Sequence, residues 1–96
     1  MSRFKLKEAT LTIRDTEVRV RELTQAERSE WYAAVVADKH RGAPLIASMG
    51  TVDPPMTEEE AKAEPGEVVE VIVEKIMELS GMRQKKGATQ KEPDAR

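Results

Sequence analysis

The N-terminal part of the chain alternates apolar and polar residues. Leu11 and Ile13 share one face of a predicted strand in ATLTI, and Val18 and Val20 share one face of a second strand in VRVREL. Alternation with a period of two is typical of a strand that is buried on one side. Residues 14–17 are polar and predict the connection of a β-hairpin. Because a lone hairpin is only marginally stable in water, its apolar face should lie on a helix or on another chain.

The pattern becomes helical after the second strand. Thr24 and Glu27 have the spacing of a capping box, in which each side chain accepts a hydrogen bond from the backbone of the other residue. This box predicts a helix over residues 25–39. Gly42 has the position of a left-handed helix stop. Trp31, the only tryptophan, is the expected anchor of a small core.

The middle of the chain is interrupted by prolines. Residues 44–49, PLIASM, allow a short helical turn, whereas the double proline in residues 51–55 predicts an extended linker. Thr57 and Glu60 form a second capping-box pattern, which predicts one or two helical turns. Whether the whole segment 43–66 is helical stays open at this level.

A second long helix is predicted over residues 67–82. Four glutamates spaced three or four apart form one stripe, although six β-branched residues in the same run would also suit a strand. The apolar arc covers more than half of the helix circumference, which is wider than one core requires. The surplus should therefore be covered by a second copy or by a client protein. The expected partner-binding residues are Val69, Val73, Ile76, Met77 and Met82.

These elements predict a small α+β fold. It has an N-terminal β-hairpin, two main helices and one or two short helical turns within a single domain of residues 1–82. Residues 83–96 have no apolar periodicity and are expected to be a disordered basic tail. The predicted core consists of Leu11, Ile13, Val18, Val20, Leu23, Trp31, Val35, Ile72 and Leu79.

Composition limits what such a fold can do. Of the 96 residues, 39% are hydrophobic but only 3% are aromatic, so the core must be aliphatic and thin. The net charge of −2 conceals a gradient, because residues 53–78 hold nine acidic and two basic side chains while residues 83–96 hold five basic and two acidic ones. The acidic middle makes nucleic acid an unfavourable partner. No apolar run approaches the ~18 residues of a membrane span, so a soluble intracellular protein is expected.

The residues offer little catalytic chemistry. His40 has no serine or acidic partner at a motif spacing, and residues 58–60 suit the start of a helix better than a cation site. No enzyme activity, cofactor or metal is therefore expected. Arg19 and Arg21 could touch nucleic acid, although pairing with Glu17 or Glu22 on a solvated face is favoured. The later methionines suit gap-filling in the core and an adaptable binding surface equally well: Met49, Met56, Met77 and Met82.

Two short motifs resemble a known family. VRVRELTQAERSEW, residues 18–31, resembles the opening of the tail assembly chaperones of long-tailed, siphovirus-like bacteriophages and prophages, where a hairpin leads into V-x-V-R-E-L-[ST]-x-x-E-R. ELSGM, residues 78–82, is similar to the LSGL ending of that family's folded part. Residues 52–60, VDPPMTEEE, differ from the aspartate- and glycine-rich stretch with an aromatic residue that many family members carry at this place.

The resemblance implies a function in virion assembly. Such chaperones bind the long tape measure protein, keep its apolar helices soluble, help to recruit tail tube subunits in the host cytoplasm, and are absent from the mature virion. Many relatives also have a longer, frameshifted form, and residues 84–86, Gln-Lys-Lys, are compatible with a slippery codon run. Two other classes stay open. One is a small DNA-associated regulator that uses Arg19, Arg21 and the tail, and the other is a structural tail completion protein of the virion.

Overall fold

The computed structural model describes residues 4–82 and has an α+β architecture, as predicted. Three antiparallel strands form a sheet in the order β1-β2-β3, and four α-helices and one 3₁₀ turn complete the fold. The predicted tail, residues 83–96, lies outside the described residues. The elements in chain order are β1 (Glu8–Ile13), β2 (Thr16–Arg21), α1 (Gln25–Ala37), the 3₁₀ turn (Lys39–Arg41), α2 (Gly42–Gly50), β3 (Thr51–Asp53), α3 (Glu58–Ala63) and α4 (Gly66–Leu79).

The predicted hairpin is confirmed, with a tighter connection than the polar run suggested. Ile13 pairs with Thr16, so only Arg14 and Asp15 form the turn. Both residues have positive φ angles, 51° and 65°, as a type I′ hairpin turn requires. Aspartate tolerates this conformation better than most residues, because its short polar side chain can hydrogen-bond locally.

The strand-to-helix joint contains the predicted capping box. The Glu27 backbone N–H donates to Thr24 Oγ1 at 3.2 Å, and the Thr24 N–H donates to Glu27 Oε1 at 2.9 Å. The Glu27 carboxylate also accepts two hydrogen bonds from the Arg21 guanidinium, at 2.8 and 2.7 Å. These bonds from Arg21 lower the pKa of Glu27 below its ordinary value. The first helix is thus locked to the end of β2 by charged groups.

The prediction that Gly42 stops the first helix was wrong. The helix α1 already ends at Ala37, where Asp38 caps the 3₁₀ turn, and Gly42 begins α2. Pro44 is tolerated because it lies in the first turn, where its missing N–H has no helical partner to lose. The helix α2 is apolar almost all round, which is the pattern of a buried helix, and it buries Leu45 and Ile46.

The prediction that residues 51–55 form an extended linker without regular structure was also wrong. Residues Thr51–Asp53 form β3, which pairs with β2 through Arg19 and Val20, with an irregularity between these two residues. The prolines follow the strand and therefore end it without preventing it. The short helix α3 begins at the second predicted capping box, which is present with both of its hydrogen bonds.

The helix α4 lies against the sheet and against α2. Gly50 permits the close approach of α2, because a Cβ atom there would lie 2.6–2.8 Å from the Ile76 side chain. Gly81, with φ of 72°, ends the last helix, and the Met82 N–H donates to the Met77 carbonyl at 2.8 Å, as in a Schellman motif. The buried core cluster comprises Val18, Val20, Leu23, Ile46, Ala47, Ala61, Val69, Ile72, Ile76 and Met82.

The predicted core is only partly right. Val18, Val20, Leu23 and Ile72 are buried as predicted. The other predicted members are half-buried and form the margin of the core, because α2 occupies much of the centre that they were expected to fill: Leu11, Ile13, Trp31, Val35 and Leu79.

Candidate functional site

The two strands of the hairpin are covered unequally. Val18 and Val20 on β2 are 6% and 0% exposed, whereas their partners on the same face of β1, Leu11 and Ala9, are only half-buried. The helix α4 contacts both of these strands, and the inner face of the edge strand β1 is covered only in part.

This open corner forms a groove of about 250 Å³, named here the β1–α4 groove, between the hairpin tip and the first turns of α4. Ile13 contributes to it from the strand, and Val68 and Val71 contribute from the helix. Val71 is 41% exposed, one of the large hydrophobic residues that the fold leaves at the surface. The charged residues that line the groove are Arg14 and Glu67.

An ion pair stands at the hairpin end of the groove. Arg14 Nη2 lies 3.4 Å from Glu67 Oε1, and the two side chains are 60% and 82% exposed. An exposed pair of this kind contributes at most about 1 kcal/mol and can separate at little cost. The pair therefore marks the end of the groove without closing it firmly.

Charges of both signs follow the α4 side of the groove, because Lys75 lies four residues after Val71 and seven after Val68 along the helix. Val71 lies on the same helical line as Glu67, Glu74 and Glu78, with spacings of four, three and four residues. A valine in this line is unusual, because its neighbours along the line are charged and face solvent. Glu78 also approaches Lys75, with Oε1 and Nζ 3.3 Å apart.

The structure places the predicted partner-binding residues differently from expectation. Val69, Ile76 and Met82 are 7%, 0% and 8% exposed and belong to the core of the chain itself. Only Val73 and Met77 keep partial exposure, on one flank of α4. The correction has a physical reason: α2, expected to be a single turn, is a complete helix that covers this side of α4.

The surface that sequence reasoning missed is the opposite flank of α4. The sequence indicated this flank only through Val71, an apolar residue within the glutamate stripe. Val68 and Ile13 could not be found from the pattern alone, because their exposure depends on how α4 lies across the sheet. A second apolar surface was also missed, since Tyr32 and Val36 of α1 are 51% and 88% exposed.

The glutamates that suggested a cation site have structural roles. Glu58 accepts two hydrogen bonds from Arg41 at 3.0 and 3.1 Å, and Glu60 completes the capping box of α3. His40 lies exposed in the 3₁₀ turn, where its backbone N–H donates to Asp38. Within residues 4–82 no group of three acidic, histidine or cysteine side chains is arranged to hold a metal ion.

The two arginines of the outer hairpin face have acidic partners other than those expected. Arg19 lies 3.7 Å from Glu8, and Arg21 pairs with Glu27 and not with Glu17 or Glu22. In the part of the chain that the structure covers, none of the helices has the length and apolar character needed to cross a membrane.

The two motifs at the ends of the folded region meet in space. The Leu23 backbone N–H donates to Ser80 Oγ at 2.9 Å, and this hydroxyl donates to the Ile76 carbonyl at 2.7 Å. Leu23 and Ser80 are 57 residues apart in the chain and both are buried. The motif residues therefore hold the fold together at one joint and do not line the groove.

Comparison with protein-family models, with curated proteins and with solved structures finds no match to this chain. The function must therefore be argued from the groove and from the sequence motifs.

Proposed function

We propose that this chain is a non-enzymatic tail assembly chaperone of a long-tailed bacteriophage. In this role it binds apolar helices of the tape measure protein, keeps them soluble in the bacterial cytoplasm, helps to recruit tail tube subunits, and is absent from the mature virion. The observation that carries the proposal is the β1–α4 groove, an apolar corner that the fold of the single chain does not fill. The joint between Leu23 and Ser80 adds support, because it brings together the two motifs that resemble this family.

The groove supplies only part of the surface that a client needs. Ile13, Val68 and Val71 are only partly exposed, so covering each of them gains roughly 1 kcal/mol, about half of a full side-chain burial. This sum is smaller than the cost of association, so the three residues contribute to a larger contact area and do not hold a client alone.

Co-expression tests the proposal directly. If the proposal holds, a tape measure protein is encoded near this chain, and it is produced in bacteria with the chaperone, with no partner, or with an unrelated acidic protein of similar size. We expect the soluble fraction of the tape measure protein to rise only with this chain, measured by sedimentation and gel densitometry. Equal solubility in all three cultures would contradict the proposal.

The same material separates the other two classes. A DNA-associated regulator would bind duplex DNA with an affinity that falls steeply as salt rises, but Arg19 and Arg21 already pair with carboxylates. A tail completion protein would be found in purified particles by mass spectrometry. Either result would replace the chaperone proposal.

A further inference from the structure

We propose that the outer edge of β1 pairs with the β1 strand of a second copy of this chain, so that two three-stranded sheets join into one continuous sheet. This self-pairing is separate from client binding and does not rest on the proposed function. Three features of the sheet carry it: the direction of the free backbone groups on β1, the difference between the two edges of the sheet, and the fit of β1 to an inverted copy of itself.

The pairing of β1 with β2 fixes which backbone groups of β1 are already used. Ile13 and Thr16 flank a two-residue turn, so they exchange both of their backbone hydrogen bonds. At the other end of the hairpin, the Glu22 N–H donates to the Lys7 carbonyl at 2.9 Å. Because bonded positions alternate along an antiparallel strand, every second residue from Lys7 to Ile13 directs its backbone groups towards β2.

The remaining residues of β1 direct their backbone groups to the open side. These residues are Glu8, Thr10 and Thr12, and all of them are exposed. Strand β1 is the end strand of the sheet, and within residues 4–82 no other strand pairs with this side. The row of N–H and C=O groups is therefore a ready template for one more strand.

The two edges of the sheet differ in how well they resist pairing. The opposite edge, β3, has only three residues, its register with β2 is irregular, and Pro54 and Pro55 follow it directly. Short length, irregularity and proline protect edge strands in native proteins. Strand β1 has six residues in regular register, EATLTI, with no proline or lysine. An unprotected edge of this length is expected to be covered by another strand.

A second copy fits this edge in an antiparallel register centred on Thr10. When Thr10 lies opposite Thr10 of the second copy, Glu8 lies opposite Thr12 on both sides of the two-fold axis. These three pairs form about six backbone hydrogen bonds, two per pair, and a shift in either direction leaves fewer within the strand. No like charges face each other, and threonine opposite threonine is a favourable cross-strand pair.

The same register completes an apolar surface that the single chain leaves half-covered. Ala9 and Leu11 are half-buried on the inner face of β1, and in the paired sheet each Ala9 lies opposite Leu11 of the other copy. A second copy supplies this match from its own sequence, so we assign the edge to self-pairing and not to a foreign strand. Since each copy contributes one strand edge, the dimer is expected to be weak and to depend on concentration.

Single cysteines test the register directly, because the chain has no cysteine of its own. Thr10→Cys places the two Cα atoms of position 10 about 5.5 Å apart across the axis, within the range of a disulfide. Thr12→Cys is the matched control, since its two Cα atoms would be separated by about 13 Å along the strands, at 3.3 Å per residue. With copper phenanthroline in air, disulfide-linked dimer should form at least about tenfold faster for Thr10→Cys, measured on non-reducing gels. Equal rates, or faster linkage at position 12, would overturn the proposed pairing.

Sedimentation equilibrium of the full chain tests the association itself. We expect a mixture of monomer and dimer in which the dimer share rises up to about 1 mM. Thr10→Lys should raise the dissociation constant about fivefold, because two lysines would face each other at the axis. Thr10→Val keeps a strand-forming side chain and every backbone group, so it should leave association unchanged.

Circular dichroism verifies that both variants fold, as expected for changes at an exposed side chain. A chain that stays monomeric at about 1 mM would leave the edge to a foreign strand and overturn the proposal. A dimer that Thr10→Lys leaves intact would place the contact on another surface, such as the outer side of α1, and would overturn it as well.

Discussion

The helices α4 and α1 are attached to the fold in opposite ways. The helix α4 buries Val69, Ile72 and Ile76, and most of its exposed residues are glutamates. The helix α1 buries no residue, and Val36 on its outer side is 88% exposed. Apolar packing therefore fixes α4 and defines the groove, whereas α1 must be held by other contacts.

Those other contacts combine polar bonds with the packing of one half-buried tryptophan. Glu27 of α1 is bonded to Arg21 of β2, and Trp31 Nε1 donates to the Gly42 carbonyl at 2.7 Å. The half-buried Trp31 ring also packs against the core cluster. A helix held by a few such bonds contributes less to global stability than one that buries three aliphatic side chains. The comparison teaches that helix length alone does not show which helix organises the core.

The largest expected effect is at the centre of α4. Ile76→Ala removes a completely buried side chain and leaves a cavity, so it should lower the free energy of unfolding by about 2–5 kcal/mol. Urea unfolding followed by circular dichroism measures the change. A loss below about 1 kcal/mol, the range of a surface change, would show that α4 is not the organising helix.

A smaller effect is expected where α2 approaches α4. Gly50→Ala would place its Cβ 2.6 Å from Ile76 Cδ1, so it should destabilise the fold by about 1–3 kcal/mol. The double variant Gly50→Ala with Ile76→Ala should lose less than the sum of the single variants, because the smaller side chain makes room for the new methyl group. Strict additivity in this double-mutant cycle would contradict the close approach.

Glu27→Gln removes the charge-assisted bonds that attach α1 to Arg21. It should lower the free energy of unfolding by about 1–2 kcal/mol, and this loss should depend on pH. Because the folded-state pKa of Glu27 is lowered, its contribution is present above the ordinary pKa of about 4.3 and is lost as pH falls through the lower folded value. Urea unfolding of the variant and of the original chain should show a difference in the free energy of unfolding that is smaller near pH 3 than near pH 7. Glu30→Gln, an exposed position on the same helix, is the matched control. A deficit of equal size at both pH values would rule out the ion pair as its cause.

The smallest effect is expected on the outer side of α1. Val36→Ala should change stability by less than about 0.5 kcal/mol, because the side chain is already solvated. Differential scanning calorimetry measures the shift in Tm. A clear destabilisation would show that Val36 is covered in solution, for example by a second copy of the chain.

The predictions from sequence succeeded where one short-range pattern decided the structure. The hairpin, both capping boxes and the glutamate-striped helix each follow from residues within one or two turns of one another. They failed at Gly42 and at residues 51–53, where glycine and proline were interpreted as breaks. Both residue types are compatible with regular structure at the start or just after the end of an element, as Gly42 at the start of α2 and the prolines after β3 show.

The candidate site was the least predictable part. The wide apolar arc of α4 showed that some apolar surface would stay exposed. It did not show which flank of the helix this would be, because that depends on the long-range packing of α2 against Ile76. The face centred on Val69 and Ile76 is buried, while Val68 and Val71 on the other flank border the groove. Periodicity fixes the width of an apolar arc, and only tertiary packing determines which edge of it stays accessible.

The bond between Leu23 and Ser80 has a practical consequence for changes at the C-terminal end. A truncation before residue 80 would leave the Leu23 amide buried without an acceptor, and one before residue 82 would remove a side chain that fills the core. An affinity tag or a fluorescent fusion attached after Met82 would leave both intact. Truncations that remove Ser80 or Met82 should therefore sharply lower the yield of soluble protein.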